Sequence, residues 1–229
     1  KTEASFVTDE RTALIDDLQA RLKARKAEYV EGSSQSEWEL VQRHVWTLER
    51  GLEFLAELHA QNYTAGKTIR DAAMAENITW LREWTGAEKA IVVGNSNHTM
   101  GGSTGENGQA GRMGQHLKET YGSDYYSLGM LFGTGSFTAP TGPQRNTFET
   151  FDTNGPVIDT LSATLTEVSH PRLFLDLDEA REHSAIDTWV RETSKIQFTT
   201  PGTAQRGAVP LPASPGEVYD GVVFVRTAS

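Results

Sequence analysis

The segment Val93-Gly94-Asn95-Ser96-Asn97-His98-Thr99 holds the side chains best suited to chemistry in this sequence. It follows a β-branched run, Ala90-Ile91-Val92-Val93, and precedes a glycine-rich stretch. Ligands of open α/β sheets bind beyond the carboxyl ends of strands, where such a segment would lie. Asn95 and His98, three residues apart in a turn, can then face one cavity. An imidazole there can take or give a proton, and a carboxamide can donate to a carbonyl oxygen. The alternative is a polar strand-end turn whose Asn and Ser side chains satisfy backbone groups. Gly94-x-Ser96-x-His98 departs from the nucleophile elbow, which needs glycine at its last position for lack of room. The six histidines include no His-Glu-x-x-His arrangement, so no metal site is expected. With no cysteine, thiol catalysis, disulfides and thiolate-bound metals are excluded.

A second polar cluster is Arg70-Asp71-x-x-Met74-Ala75-Glu76-Asn77. Arg70, Met74 and Asn77 share a face at helical spacing. Arg70 suits an anion or carbonyl clamp if it faces the same cleft as His98. Asp71 fits a structural role better, and Trp80 and Trp84 read as packing residues. Residues 101–112 carry five glycines and almost no apolar side chain, as expected of a lid loop; without a Gly-Lys-Ser/Thr ending they do not form a phosphate loop.

The elements that must position these groups begin with helices. Leu14, Ile15, Leu18, Leu22 and Tyr29 form one apolar stripe, stopped by Gly32. Ser36-x-x-Glu39 reads as a capping box opening a second long stripe through Val45, Leu52 and Leu58. The pair predicts a helical hairpin over residues 1–67. A third helix is expected over 68–84, stopped by a left-handed Gly86, and the buried strand Ala90–Val93 follows. Beyond the loop the pattern predicts a helix near 113–120 and strands at 125–132, 135–139, 162–168, 172–177 and 222–226. It also predicts a helix around 178–183 and a surface loop marked by Pro201 and by Pro210 to Pro215. The fold class expected is α/β: a mixed or mainly parallel sheet with flanking helices and a long helical hairpin insertion, the sheet domain spanning 68–229.

Lys plus Arg number 21 against 31 Asp plus Glu, a net charge of −10 over 229 residues. Such a chain repels phosphate backbones, which argues against a nucleic-acid partner. No run of about 18 apolar residues offers a membrane span. The sequence begins at Lys1 without an initiator Met or an apolar leader segment, as if cut from a longer chain, and an acidic chain without cysteine is compatible with the cytoplasm.

Several pieces then occur in a telling order. Arg70-Asp71-x-x-Met74-Ala75-Glu76-Asn77-x-x-Trp80-Leu81 precedes Ile91-Val92-Val93-Gly94-Asn95-Ser96-Asn97-His98. Met113-Gly114-x-x-Leu117, Tyr121-Gly122-x-x-Tyr125 and Leu128-Gly129-Met130-Leu131-Phe132-Gly133-x-Gly135-x-Phe137 follow, and Tyr219-Asp220-Gly221 comes near the end. From Arg70 to Arg226 this order resembles the C-terminal half of the erythromycin esterase family. The resemblance implies an α/β fold with a helical insertion and a deep cleft. It also implies metal-independent hydrolysis of a macrolide lactone or other small-molecule ester, with no cofactor. A partner is implied as well: an N-terminal half carrying a His-Gly opening and a catalytic base. On this resemblance His98 is the catalytic candidate, and Asn95, Ser96, Arg70 and Met113 are substrate-binding candidates. The family's His-Asn-x-His segment reads Asn95-Ser96-Asn97-His98 here, so one imidazole is replaced by an amide that cannot shuttle a proton. The alternative expectation is a non-catalytic binding or structural module that has lost the esterase chemistry.

Overall fold

The computed structural model describes residues 9–102, 111–141, 147–153, 155–192, 195–198 and 208–228. They divide into two compact units, one drawn from Lys1–Val93 and Gly111–Met113, the other from Gly94–Ala110 and Gly114–Ser229.

The first unit is helical. The opening stripe forms two helices, α1 (Asp9–Ala24) and α2 (Lys26–Gly32), because Arg25 leaves helical geometry at φ −106°, ψ 21°. Next comes α3 (Gln35–His59), capped by Ser34 rather than by the expected Ser36. Ser34 has the extended backbone a cap requires, and its Oγ accepts the Glu37 N–H at 3.1 Å, whereas Ser36 is already helical. Residues 60–62 connect α3 to α4 (Tyr63–Thr85), making the long hairpin, and α4 ends at left-handed Gly86 with φ 66° as its sequence predicts. Arg43 on α3 stacks 3.6 Å over Trp46 and donates from Nε to Asn77 Oδ1 on α4 at 2.6 Å. Trp38 Nε1 donates to Leu22 O at 3.0 Å, tying α3 to α1. Trp80 and Trp84 stack on each other with centroids 5.4 Å apart.

One expectation fails at the end of this unit. Ala90–Val93 is not a strand, and Ile91 and Val93 are 93% and 90% exposed. β-Branched side chains favour extended backbone, but a buried strand also needs a hydrogen-bonded neighbour and cover on both faces. No strand among the described residues pairs with this run.

The second unit contains α5 (Ser96–Thr99) and α6 (Met113–Tyr121), which begins at the unit boundary, then a 3-10 turn over Gly122–Asp124. A single long strand, β1 (Leu128–Thr141), replaces the two expected over 125–139. Its partner changes midway. Residues 128–135 run parallel to β6 (Gly221–Ala228), and residues 135–141 run antiparallel to β2 (Thr147–Thr153). Adding β3 (Arg172–Asp176), antiparallel to β6, completes a mixed sheet of order β2-β1-β6-β3.

The expected strand over 162–168 is instead a helix, α7 (Leu161–Glu167). Thr160 caps it by accepting the Ala163 N–H, and Leu161 and Leu165 bury one i,i+4 stripe. Around 178–183 the chain makes only one turn, α8 (Leu177–Ala180), followed by an unanticipated α9 (Ser184–Glu192). The expected loop from Pro210 to Pro215 is ordered. β5 (Val209–Pro212) pairs antiparallel with β4 (Lys195–Phe198), and Pro215 opens α10 (Pro215–Val218). Proline suits both places, since an edge strand tolerates its missing N–H and the first helical residue does not use one. Pro201 lies outside the described residues, as does most of the glycine-rich segment proposed as a lid.

Register divides the main sheet into two faces. Leu131, Phe224 and Leu173 stand side by side on the face that holds the core with Leu161 and Leu165 of α7. Met130, Val223 and Phe174 stand side by side on the opposite face. There Met130 is 68% and Phe174 58% exposed.

Asp176 closes β3 by capping α8, its Oδ1 accepting the Asp178 and Glu179 N–H groups at 3.1 and 3.0 Å. The Glu179 N–H bond is the main cause that holds this carboxyl below its ordinary range, and Tyr126 Oη donates to it at 3.1 Å. A lowered native pKa gives stability that is present above the unfolded value and lost as pH falls through the native one. Acidification is therefore expected to release amide protection at Asp178 and Glu179, and Asp176→Asn to flatten that acid limb. Hydrogen exchange against pH checks this, and equal acid limbs in both proteins would contradict it.

Candidate active site

The candidate site is built on α5. Asn95 caps it with extended backbone, its Oδ1 accepting the Asn97 N–H at 2.9 Å while its carbonyl accepts the His98 N–H at 2.8 Å. With Oδ1 used in the cap, the Asn95 amide NH2 is the group able to donate to a ligand carbonyl. Four residues cannot hold a helix by themselves, so α5 depends on its surroundings.

Those surroundings grip the end of α5. Thr99 O accepts from Tyr125 Oη at 2.5 Å and from Ser127 Oγ at 2.7 Å. The Gly101 N–H donates to Val218 O at 2.9 Å, and the Met100 side chain is fully buried. Asp220 supports the grip one step back. Its Oδ2 accepts the Ser127 N–H at 2.7 Å, and its Oδ1 lies 3.0 Å from Lys118 Nζ. Burial, with the Asp220 charge adding to it, pushes the Tyr125 hydroxyl above its ordinary range, so it remains a donor. Tyr126, beside Asp176, is pushed up to about 12 by burial first and by its hydrogen bond second.

Gly114 in α6 packs directly against this end of α5. A Cβ there would stand 2.3 Å from Met100 O and 2.5 Å from the Thr99 carbonyl. Because those atoms are backbone, Gly114→Ala has to move one helix. The expected cost is about 1–3 kcal/mol, a fall in melting temperature of several degrees at this chain length. Amide exchange at Met100 and Gly101 should rise with it. An unchanged melting curve and unchanged protection would show the contact to be soft.

A hollow of about 70 Å³ adjoins α5, lined by Asn95, Ser96, Met130, Phe132, Gln197 and Tyr219 among others. Gln197 is buried, donating from Nε2 to Phe132 O at 3.0 Å and accepting the Val157 N–H at 2.8 Å through Oε1. Its amide is thus fixed in orientation as part of the wall.

The structure gathers Asn95, Ser96 and His98 at α5 in the second unit. Asn95 and Ser96 line the hollow, while His98, half-buried, is the third residue of the same helix and is not among the lining residues. Arg70 and Met113 belong to the first unit. Arg70 Nε lies 3.7 Å from Oδ1 of the buried Asp71, and Met113 is buried as the first residue of α6. Sequence reasoning missed Gln197, Ser127 and Asp220. Only Asp220, inside Tyr219-Asp220-Gly221, carried a signal, since that piece belongs to the ordered motif set. Among the described residues, no group of three His, Asp or Glu could hold a metal ion, and no helix is long and apolar enough to cross a membrane.

A mixed sheet preceded along the chain by a long helical hairpin makes this an α/β protein. The family model for erythromycin esterase matches residues 2–228, and the chain belongs to that family. A Bacillus cereus protein of solved structure is similar at a TM-score of 0.76 and 23% identity, over 98% of this chain and 54% of its own. A succinoglycan biosynthesis protein is similar at 0.69 and 19%, over 94% of this chain and 50% of its own. A mutant of erythromycin esterase EreC in its open conformation is similar at 0.61 and 14%, over 94% and 52%. These identities show a shared fold, and the chain spans about half the length of each structure. No curated protein gives a significant match.

Proposed function

We propose that this chain supplies part of the cleft of an esterase-like hydrolase, where water attacks a macrolide lactone or another small-molecule ester without a metal ion. Family membership supports the reaction class, and one observation carries the assignment to a place: α5 presents Asn95 and Ser96 to a hollow and is gripped from behind. Imidazole is the side chain best matched to general-base work near neutrality, so His98 takes the proton from the attacking water. The water oxygen bonds to the acyl carbon, and the carbonyl oxygen gains negative charge that the Asn95 NH2 is suited to receive. The acyl–oxygen bond then breaks, and the leaving alkoxide takes a proton back, giving a carboxylic acid and an alcohol. Ser96 adds a hydroxyl to the same wall. These roles rest on the α5 residues alone; the clamp expected of Arg70 comes from its residue type, and the substrate role of Met113 from the resemblance.

A second reading, a binding module without catalysis, is favoured by two features: an amide at Asn95, and a hollow lined by Asn95 and Ser96 but not by His98. One assay separates them. The chain, linked to the family's other half, is incubated with macrolide lactones and simple esters in the presence of a chelator. Release of the carboxylate supports the hydrolase. Binding with no turnover of any substrate overturns it and leaves the binding module.

A further inference from the structure

Two carboxamides border the hollow beside α5, and in each the oxygen is already taken by the backbone. A backbone N–H can only donate, so the atom facing it must be the amide oxygen, and this fixes which way each group points. Gln197 Oε1 accepts the Val157 N–H at 2.8 Å, and Asn95 Oδ1 accepts the Asn97 N–H at 2.9 Å. Each residue therefore turns its NH2 away from that contact. One Gln197 Nε2 hydrogen goes to Phe132 O at 3.0 Å. An amide nitrogen carries two hydrogens, so the second is left for the hollow that Gln197 lines. Among the described residues of this lining none carries a formal charge, and a cation meets no carboxylate there. The group that suits the hollow is a neutral oxygen with lone pairs and no hydrogen to give.

We propose that Gln197 is a second donor to the reacting carbonyl oxygen, acting with Asn95 as a two-amide oxyanion site. This deepens the functional reading and rests on it, because that reading supplies the ester. As the water oxygen bonds to the acyl carbon, the carbonyl π pair moves onto the oxygen. When the acyl–oxygen bond breaks, that pair returns and the carbonyl re-forms. Gln197 gives a hydrogen bond throughout and transfers no proton. Its two wall contacts matter here, since a donor fixed in advance needs no reorganisation as charge develops. At 6% exposure it also acts where water screens it little. Asn95, exposed as the cap of α5, donates from the rim.

Gln197→Glu separates this role from a structural one. Burial beside a carbonyl oxygen keeps the new carboxyl protonated. Its O–H can still bond Phe132 O, and its other oxygen can still accept the Val157 N–H. Only the second hydrogen is lost. In the linked form kcat is expected to fall about 10²–10³-fold with KM little changed, while the melting temperature and the Val157 amide protection hold. A parent-like kcat overturns the proposal. The parent chain gives a readout that needs no variant. Isotope-labelled chain is titrated with N,N-dimethylacetamide, a carbonyl compound with no hydrogen-bond donor and no ester bond. The Asn95 NH2 and one of the two Gln197 NH2 protons are expected to shift with a single dissociation constant, the proton bonded to Phe132 O moving least. Trimethylammonium, a donor cation, should move neither. An unmoved Gln197 pair, or equal shifts with the cation, overturns the proposal, and this titration decides if Gln197→Glu loses Val157 protection. The two claims fail separately. A Gln197 shift without turnover in the linked form sinks the hydrolase alone, and turnover unaffected by Gln197→Glu sinks the second donor alone.

Discussion

Replacing His98 by alanine is expected to lower kcat/KM for ester hydrolysis by about 10²–10⁴ in the linked form, the range over which a positioned general base acts. The loss should fall on kcat. A base acts on the proton in the transition state, whereas Asn95 and Ser96 hold the substrate, so KM should change little. His98→Gln keeps a hydrogen-bonding side chain but cannot accept a proton at neutral pH, and it is expected to be as impaired as the alanine variant. The backbone groups that grip α5, Thr99 O, the Gly101 N–H and the His98 N–H, remain in both variants, and the melting temperature of each separates lost chemistry from lost fold. If activity survives in His98→Ala, another group activates the water.

The second large effect is structural. Phe224 has no exposed surface and stands beside Leu131 and Leu173 at the centre of the covered face. Phe224→Ala removes a ring and leaves a cavity that β1 and β3, hydrogen-bonded on either side of β6, cannot close. Such a truncation costs about 3–5 kcal/mol, a large share of the roughly 5–15 kcal/mol that holds a domain together. The expected shift is a fall of about 6–20 °C in the melting of the second unit, by the usual relation for chains of this length. Amide protection in β6 reads that unit directly. Phe174→Ala, on the open face of the adjacent strand, is the comparison, and it should change stability by less than about 1 kcal/mol. Similar effects from both would mean that the two faces are equally covered.

These contrasts show which features local sequence can reveal. The stop at Gly86 was legible because a left-handed residue after an apolar-periodic stretch is a local requirement. The sites of β3 and β6 were legible from short β-branched or apolar runs. Ala90–Val93 has the same composition but no neighbour to pair with among the described residues, and pairing is not local. For α7 the error was one of period. Leu161 and Leu165 fit an i,i+4 stripe, and the cap at Thr160 decides between helix and strand. At the site, Asn95, Ser96 and His98 could be picked out by residue type. Gln197 could not, because its role lies in two contacts, to Phe132 O and the Val157 N–H, 65 and 40 residues away in sequence.

The central claim is that the hollow beside α5 receives the ester carbonyl within reach of the imidazole. Nuclear magnetic resonance of the linked form, titrated with a slowly hydrolysed lactone, tests it most directly. The Asn95 side-chain NH2, the Ser96 amide and the His98 ring resonances are predicted to shift together with one dissociation constant. Saturable binding that leaves all three unmoved, with hydrolysis proceeding, would contradict it.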